Sequence, residues 1–259
     1  MSTASIIAPL RRLGTRAAPR RRLICIPFAG GGVSAFRTWH RLLPDDVEVL
    51  AAQLPGRELR IREAPLRSVR AMVAALLPEI EAASDLPYAL FGHSMGALVA
   101  YELASALESR AGRPPSALFV SARRAPDEPD PRAPLHTLPD DAFLTALQRR
   151  YGAIPAAVLH EPELLELLLP VVRADIHAVE TYRASPSAER IRCPVHVYGG
   201  DADRHPHPEQ LSAWDRATVD AVRVRVFSGD HFYLNSQSQA LTADIAAQWS
   251  ARTTSEEGA

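Results

Sequence analysis

Tyr88-Ala89-Leu90-Phe91-Gly92-His93-Ser94-Met95-Gly96-Ala97-Leu98-Val99-Ala100 is the stretch that decides how this chain is read. A short apolar run enters Gly-x-Ser-x-Gly, and small and apolar residues then recur at helical spacing from Ala97 to Leu107. Strand, sharp turn and helix form the context in which this pentad holds a Ser out as a nucleophile. Side chains at positions 92 and 96 would strike neighbouring backbone, so Gly is required at both. The turn also puts the Ser94 hydroxyl at a helix N-terminus, where free N–H groups and the dipole favour developing negative charge.

Outward from this turn, branched apolar runs occur at Leu23 to Ile26, Val47 to Ala52, Ala117 to Val120, Val195 to Tyr198 and Val222 to Phe227, and each reads as a buried strand. Helical patterns such as Leu66 to Ala83 separate them, so the expected fold is α/β, with a mostly parallel central sheet flanked by helices. The alternation lapses from about 123 to 190. There the Pro-rich link Ala125-Pro126-Asp127-Glu128-Pro129-Asp130-Pro131 leads into helical patterns at Asp140 to Arg150 and Glu163 to Tyr182, with Pro170 expected to kink the second. We expect one domain over 1–259 with this segment as a helical lid insertion, and flexible ends at 1–20 and 253–259.

A Ser hydroxyl needs a base. Of nine His residues, His231 in Ser228-Gly229-Asp230-His231-Phe232 follows the last strand, and Ser, acid, His is the chain order that goes with such a turn. The acid then belongs after the preceding strand, where Tyr198-Gly199-Gly200-Asp201-Ala202-Asp203 offers two, with Asp230 a weaker third. Spacing does not choose among them. His93 is expected to pack or hydrogen-bond within the turn, and His205-Pro206-His207 reads as a solvated loop because no third metal ligand stands at diagnostic spacing. An oxyanion hole needs the N–H of Met95 and a second N–H from the Gly-rich loop Pro27-Phe28-Ala29-Gly30-Gly31-Gly32.

Composition removes other classes. The 29 basic residues against 30 acidic ones give a net charge of −1, so there is no global attraction to nucleic acid. No apolar stretch is long enough to span a bilayer. All 29 bases are Arg; without Lys, a Schiff base, a Walker lysine and a Ser-Lys dyad are excluded. Cys25 and Cys193 lie in apolar runs, as buried hydrophobes would, which fits a reducing cytoplasm.

Several motifs coincide: Ile26-Pro27-Phe28-Ala29-Gly30-Gly31-Gly32, Gln53-Leu54-Pro55-Gly56-Arg57, Leu90-Phe91-Gly92-His93-Ser94-Met95-Gly96, Pro170-Val171-Val172-Arg173-Ala174-Asp175 and Gly229-Asp230-His231-Phe232-Tyr233-Leu234. From Arg22 to Trp249 the chain resembles the type II thioesterases, editing enzymes of polyketide and nonribosomal peptide synthesis with the α/β-hydrolase fold. The resemblance implies Ser94 as nucleophile, His231 as base and Asp203 as the acid. It also implies oxyanion donors at Ala29 and Met95, substrate contacts at Phe28 and Phe232, and no metal or other cofactor. The implied partners are acyl or peptidyl carrier proteins, with no nucleic acid and no membrane. Two departures stand out, Arg204-His205-Pro206 after Asp203 and Tyr151-Gly152-Ala153-Ile154-Pro155 in the lid; neither touches the triad. The same triad would serve an esterase or lipase, and a non-catalytic acyl-binding protein has no need of it.

Overall fold

A computed structural model describes residues 7–110, 113–152, 161–184 and 190–256. Seven strands form one sheet: β1 (Leu10–Leu13), β2 (Arg21–Ile26), β3 (Val47–Ala52), β4 (Tyr88–His93), β5 (Leu118–Ser121), β6 (Val195–Gly200) and β7 (Val222–Phe227). Their spatial order is β1-β3-β2-β4-β5-β6-β7, parallel throughout except for β1, which pairs antiparallel with β3. The helices are α1 (Trp39–Leu42), α2 (Val69–Ala82), α3 (Met95–Glu108), α4 (Asp140–Tyr151), α5 (Pro162–Glu180), α6 (Tyr233–Ser236) and α7 (Ser238–Glu256).

The period of two along each strand divides the core between the two faces of the sheet. Ile24, Ile26, Leu90, Val120 and Val197 pack on one face with α2 and α3, while Leu23, Cys25, Phe91, Phe119 and Tyr198 pack on the other with α1 and α7. Helix α3 is apolar nearly all round and has ten buried residues, as a helix pressed onto the middle of a sheet must. Ser68 caps α2 by accepting the Ala71 N–H at 3.1 Å, and Gly152 ends α4 in the left-handed conformation at φ 63°.

The strand order reverses beside β2, which pairs with β3 on one side and β4 on the other. Ligands bind outside the carboxyl ends of strands at such a switch point. The Gly-rich loop leaves β2 there and the Ser94 turn leaves β4, so the topology itself brings the two together.

Three expectations need correction. The arm at 1–20, expected to be flexible, carries β1: Leu10 to Leu13 take up the free edge of β3, and Arg12 pairs with Glu48 at 2.7 Å. Residues 1–6 of that arm lie outside the described residues. At the other end, α7 runs to Glu256 and takes in part of the expected frayed tail; 257–259 lie outside the described residues. Strand β7 is an edge rather than a buried strand, with Val224 44% and Val226 42% exposed. Between β5 and β6 the described residues hold α4, α5 and a core of their own, Leu135, Phe143, Leu147 and Ile176; residues 153–160 and 185–189 lie outside the described set. Pro170 falls inside α5.

Candidate active site

Ser94 has φ 54° and ψ −111°, a region that non-glycine residues enter only under strain, at a cost of about 1–3 kcal/mol. The surroundings hold it there. Its N–H donates to the Ser121 carbonyl at 2.8 Å, and the two flanking glycines let three segments of backbone meet. A Cβ on Gly92 would lie 2.1 Å from the Gly96 carbonyl oxygen, and one on Gly96 would lie 2.1 Å from the Ile26 carbonyl oxygen. Both contacts are with backbone, so neither glycine has a substitute.

Ser94 Oγ lies 3.0 Å from His231 Nε2, and His231 Nδ1 lies 2.8 Å from Asp203 Oδ2. His231 and Asp203 are buried, while Ser94 is partly exposed. The second Asp203 oxygen accepts the His205 N–H at 2.8 Å, which fixes the carboxylate. The two acids that spacing left open are used elsewhere: Asp201 accepts the Gly229 N–H at 2.9 Å, and Asp230 accepts the Phe232 N–H at 2.8 Å. Asp201 and Asp230 thus shape the loop that carries His231, and Asp203 alone of the three meets its ring.

His93 turns away from the reacting face. It is buried, with Nδ1 2.8 Å from Ser121 Oγ, and Ser121 Oγ in turn lies 2.6 Å from the Tyr233 hydroxyl. Burial, and then the adjacent His231, push its imidazole well below the ordinary range, so it stays neutral and adds no charge beside His231. His205 is half-buried rather than fully solvated; burial, then Arg132, push it down to about 4. Among the described residues no group of three or more His, Cys, Asp or Glu is assembled as a metal would require.

At the Gly-rich loop, the Gly31 N–H donates to the Phe28 carbonyl at 2.9 Å and the Gly30 N–H to Asp175 Oδ2 at 2.7 Å. Among the described residues the Ala29 and Met95 N–H groups have no acceptor, and Met95 opens α3, where the first amides lack intrahelical partners. Phe28 and Phe232 meet edge to face with ring centroids 5.0 Å apart. Both line a cavity of about 880 Å³ that extends from the Gly-rich loop to Leu165, Leu168 and Val172 of α5. Ser94 and His231 are outside its lining, which includes Phe28, Ala29 and Phe232; the Phe232 ring lies 5.2 Å from that of His231.

Sequence reasoning quoted Arg57 and Asp175 without a role for either. Arg57 donates through Nη1 and Nη2 to the two Asp175 oxygens at 2.7 and 2.9 Å, and through Nη1 to the Gly31 carbonyl at 3.0 Å. The pair is almost wholly buried, with side chains 3% and 0% exposed. Asp175 belongs to α5, so one carboxylate ties that helix to both the Gly-rich loop and the loop after β3. Next to Arg57, Glu58 accepts the Val33 and Ser34 N–H groups at 3.0 and 2.9 Å and holds the far side of the same loop. Substituting Asp175→Asn should cost about 3–5 kcal/mol, because the Arg57 charge is left buried and uncompensated. Denaturant titration measures this loss, and a change of under 1 kcal/mol would mean that the pair does not anchor the loop.

Of the two departures noted in sequence, His205 lies against the site through Asp203, and Tyr151 sets its ring 5.0 Å from that of His231. Ala153, Ile154 and Pro155 lie outside the described residues.

Residues 21–249 match the model of the thioesterase domain family. The gramicidin S biosynthesis protein GrsT of Aneurinibacillus migulanus is 39% identical over 217 residues, 84% of each chain. The thioesterase PikA5 of Streptomyces venezuelae is 40% identical over 226 residues, 87% of this chain and 79% of its own. Among solved structures, the type II thioesterase BorB from the borrelidin biosynthetic cluster superposes with a TM-score of 0.84 at 36% identity, covering 93% of this chain and 97% of its own. With that match over nearly the whole sheet and both site loops, the chain belongs to the thioesterase family, among the type II thioesterases of polyketide and nonribosomal peptide pathways, and has their α/β-hydrolase fold.

Proposed function

We propose that this thioesterase removes aberrant or stalled acyl groups from the phosphopantetheine arm of acyl or peptidyl carrier proteins through an acyl-Ser94 intermediate. The observation that carries the reading is the hydrogen-bonded chain from Ser94 Oγ through His231 to Asp203, at 3.0 and 2.8 Å. In the first step Ser94 Oγ attacks the thioester carbonyl while His231 Nε2 takes its proton. Asp203 holds the ring in the tautomer with Nδ1–H and stabilises the imidazolium. The oxyanion forms between the Ala29 and Met95 N–H groups, in the position that such donors occupy in hydrolases of this kind. The thiol leaves, water takes its place, and His231 repeats its role as the acyl-Ser ester is hydrolysed.

The 880 Å³ cavity supplies room for the acyl group, with Phe28 and Phe232 in its lining. The described residues between 123 and 190 serve as a lid over it, an insertion within a single catalytic domain. Asp175 keeps this lid in register with the oxyanion loop. No described helix is long and apolar enough to cross a membrane. A cytoplasmic location, where carrier proteins are loaded, belongs to the same proposal, and the burial of Cys25 and Cys193 in the apolar core fits it.

The test compares kcat/KM on acyl-carrier thioesters with that on p-nitrophenyl esters of the same acyl group. We expect a preference for the carrier of about a hundredfold, equivalent to about 2.7 kcal/mol of transition-state binding. Equal or reversed preference would instead identify a general esterase.

A further inference from the structure

A second cavity, of about 740 Å³, lies at the other end of α5, between Val179 and Tyr182 on one side and the link after β5 on the other. Its wall is rich in charge, and its acids are already engaged. Asp127 and Glu128 hold Arg216, Asp130 holds Arg132, and Glu180 holds His136 and Arg150. Arg123 is the exception. Among the described residues its guanidinium meets no carboxylate and no carbonyl, and its Nε is sealed from solvent.

The backbone that carries Arg123 is fixed. Ser121, two residues before it, accepts the Ser94 N–H; Ala122 turns the chain at φ 51°, and the Arg123 carbonyl accepts Trp214 Nε1 at 2.8 Å. The side chain therefore cannot leave the cavity by a movement of its loop. Arginine does not shed its proton in proteins, and a partly desolvated cation without a counter-charge is strongly disfavoured. Asp130 attracts Arg123 from a distance but is itself bound to Arg132, whose repulsion of Arg123 works against that attraction. Arg132 lines the same cavity, and its buried Nη1 has no partner among the described residues. The Nη2 of Arg132 reaches the Tyr151 hydroxyl at 3.2 Å, and the Tyr151 ring adjoins His231. One aromatic ring thus separates this arginine pair from the candidate base.

We infer that this cavity is a binding site for an oxoanion, a carboxylate or a phosphate, with Arg123 as its principal donor and Arg132 Nη1 as a second. The connection through Arg132 and Tyr151 to the ring of His231 assigns that oxoanion to the substrate: a free carboxylate on an acyl group that turns to this side of Tyr151 rather than into the first cavity, or the phosphate of the arm that carries it. This last assignment rests on the function proposed above; the binding site does not.

Calorimetric titration at constant ionic strength, with inorganic phosphate and with succinate as probes, tests the site directly. The unaltered protein and Ser94→Ala should bind at least one of the two saturably at one site. Arg123→Gln should bind it about tenfold or more weakly, the loss expected for a charge-assisted contact, and Arg123→Lys should retain part of the affinity. In anion-free buffer Arg123→Gln should melt no lower than the unaltered protein, because it relieves an unpaired charge; a structural arginine would do the opposite. Should that variant fail to fold, the site is overturned unless Arg132→Gln weakens the same probe. Absence of saturable binding, or equal affinity in Arg123→Gln, also overturns it.

Kinetics on two substrate pairs then separates the sources. Malonyl and propionyl thioesters of N-acetylcysteamine differ in a carboxylate, and acyl-phosphopantetheine and acyl-pantetheine differ in a phosphate. A rise in KM in Arg123→Gln confined to the malonyl ester assigns the site to the acyl carboxylate. A rise confined to the phosphorylated arm assigns it to the phosphate, and no change in either pair refutes the substrate assignment. If no thioester is hydrolysed by the unaltered protein, the functional proposal fails while the titration still decides the site.

Discussion

Replacing Ser94 by Ala is expected to lower thioester hydrolysis by about 10⁵- to 10⁶-fold, the loss seen when a triad nucleophile is removed, while the fold persists. In the proposed mechanism Oγ is the atom that forms the acyl ester. Its removal leaves the Asp203–His231 pair at 2.8 Å and the backbone bond to Ser121 in place. An Ala side chain is no larger than that of Ser, so the strained turn at φ 54° tolerates it as well. The double variant with His231→Ala should be no slower than the single one, since the two groups act as a unit. A steady-state rate on an acyl-carrier thioester, with circular dichroism as the control for folding, measures this. A residual rate within tenfold of the parent would remove Ser94 from the mechanism.

The second large effect separates two neighbouring carboxylates. Asp203→Asn should lower kcat by about 10⁴-fold, because an amide facing Nδ1 favours the tautomer in which Nε2 bears the proton and cannot accept one from Ser94. Asp201→Asn should change kcat little. Its carboxylate is exposed and holds the Gly229 N–H, a bond that the Asn oxygen can keep. Parallel kcat measurements on the two variants decide the matter; a larger loss in Asp201→Asn would reverse the assignment.

The Ser94 turn, the place of His231 after the last strand and the sheet strands were legible because their signals are local. Gly92 and Gly96 declare a turn too tight for side chains, and runs such as Val47 to Ala52 and Val222 to Phe227 match strand limits residue for residue. The carboxylate that faces His231 was not legible from spacing. Asp201 and Asp203 are two residues apart, and which one meets His231 depends on how the loop after β6 folds against Gly229. β1 escaped notice because Leu10-Arg11-Arg12-Leu13 has no apolar run of its own; pairing with β3 makes it a strand. The exposure of β7 was hidden for the opposite reason: an alternating Val-Arg pattern specifies a strand and does not say whether a neighbour lies beyond it. The tie between Arg57 and Asp175 spans 118 positions, so each residue could be quoted as part of a motif while their contact stayed invisible. Arg123 was read simply as the start of the insertion, because a missing counter-charge appears only once the surrounding acids have been paired.

The most direct test of the account is intact-protein mass spectrometry after rapid quenching of the enzyme with an acyl thioester, followed by peptide mapping. The account predicts a transient mass increase equal to one acyl group, located on Ser94, formed with release of one equivalent of thiol and absent from Ser94→Ala. Thiol release with no adduct, or an adduct on any other residue, would contradict it.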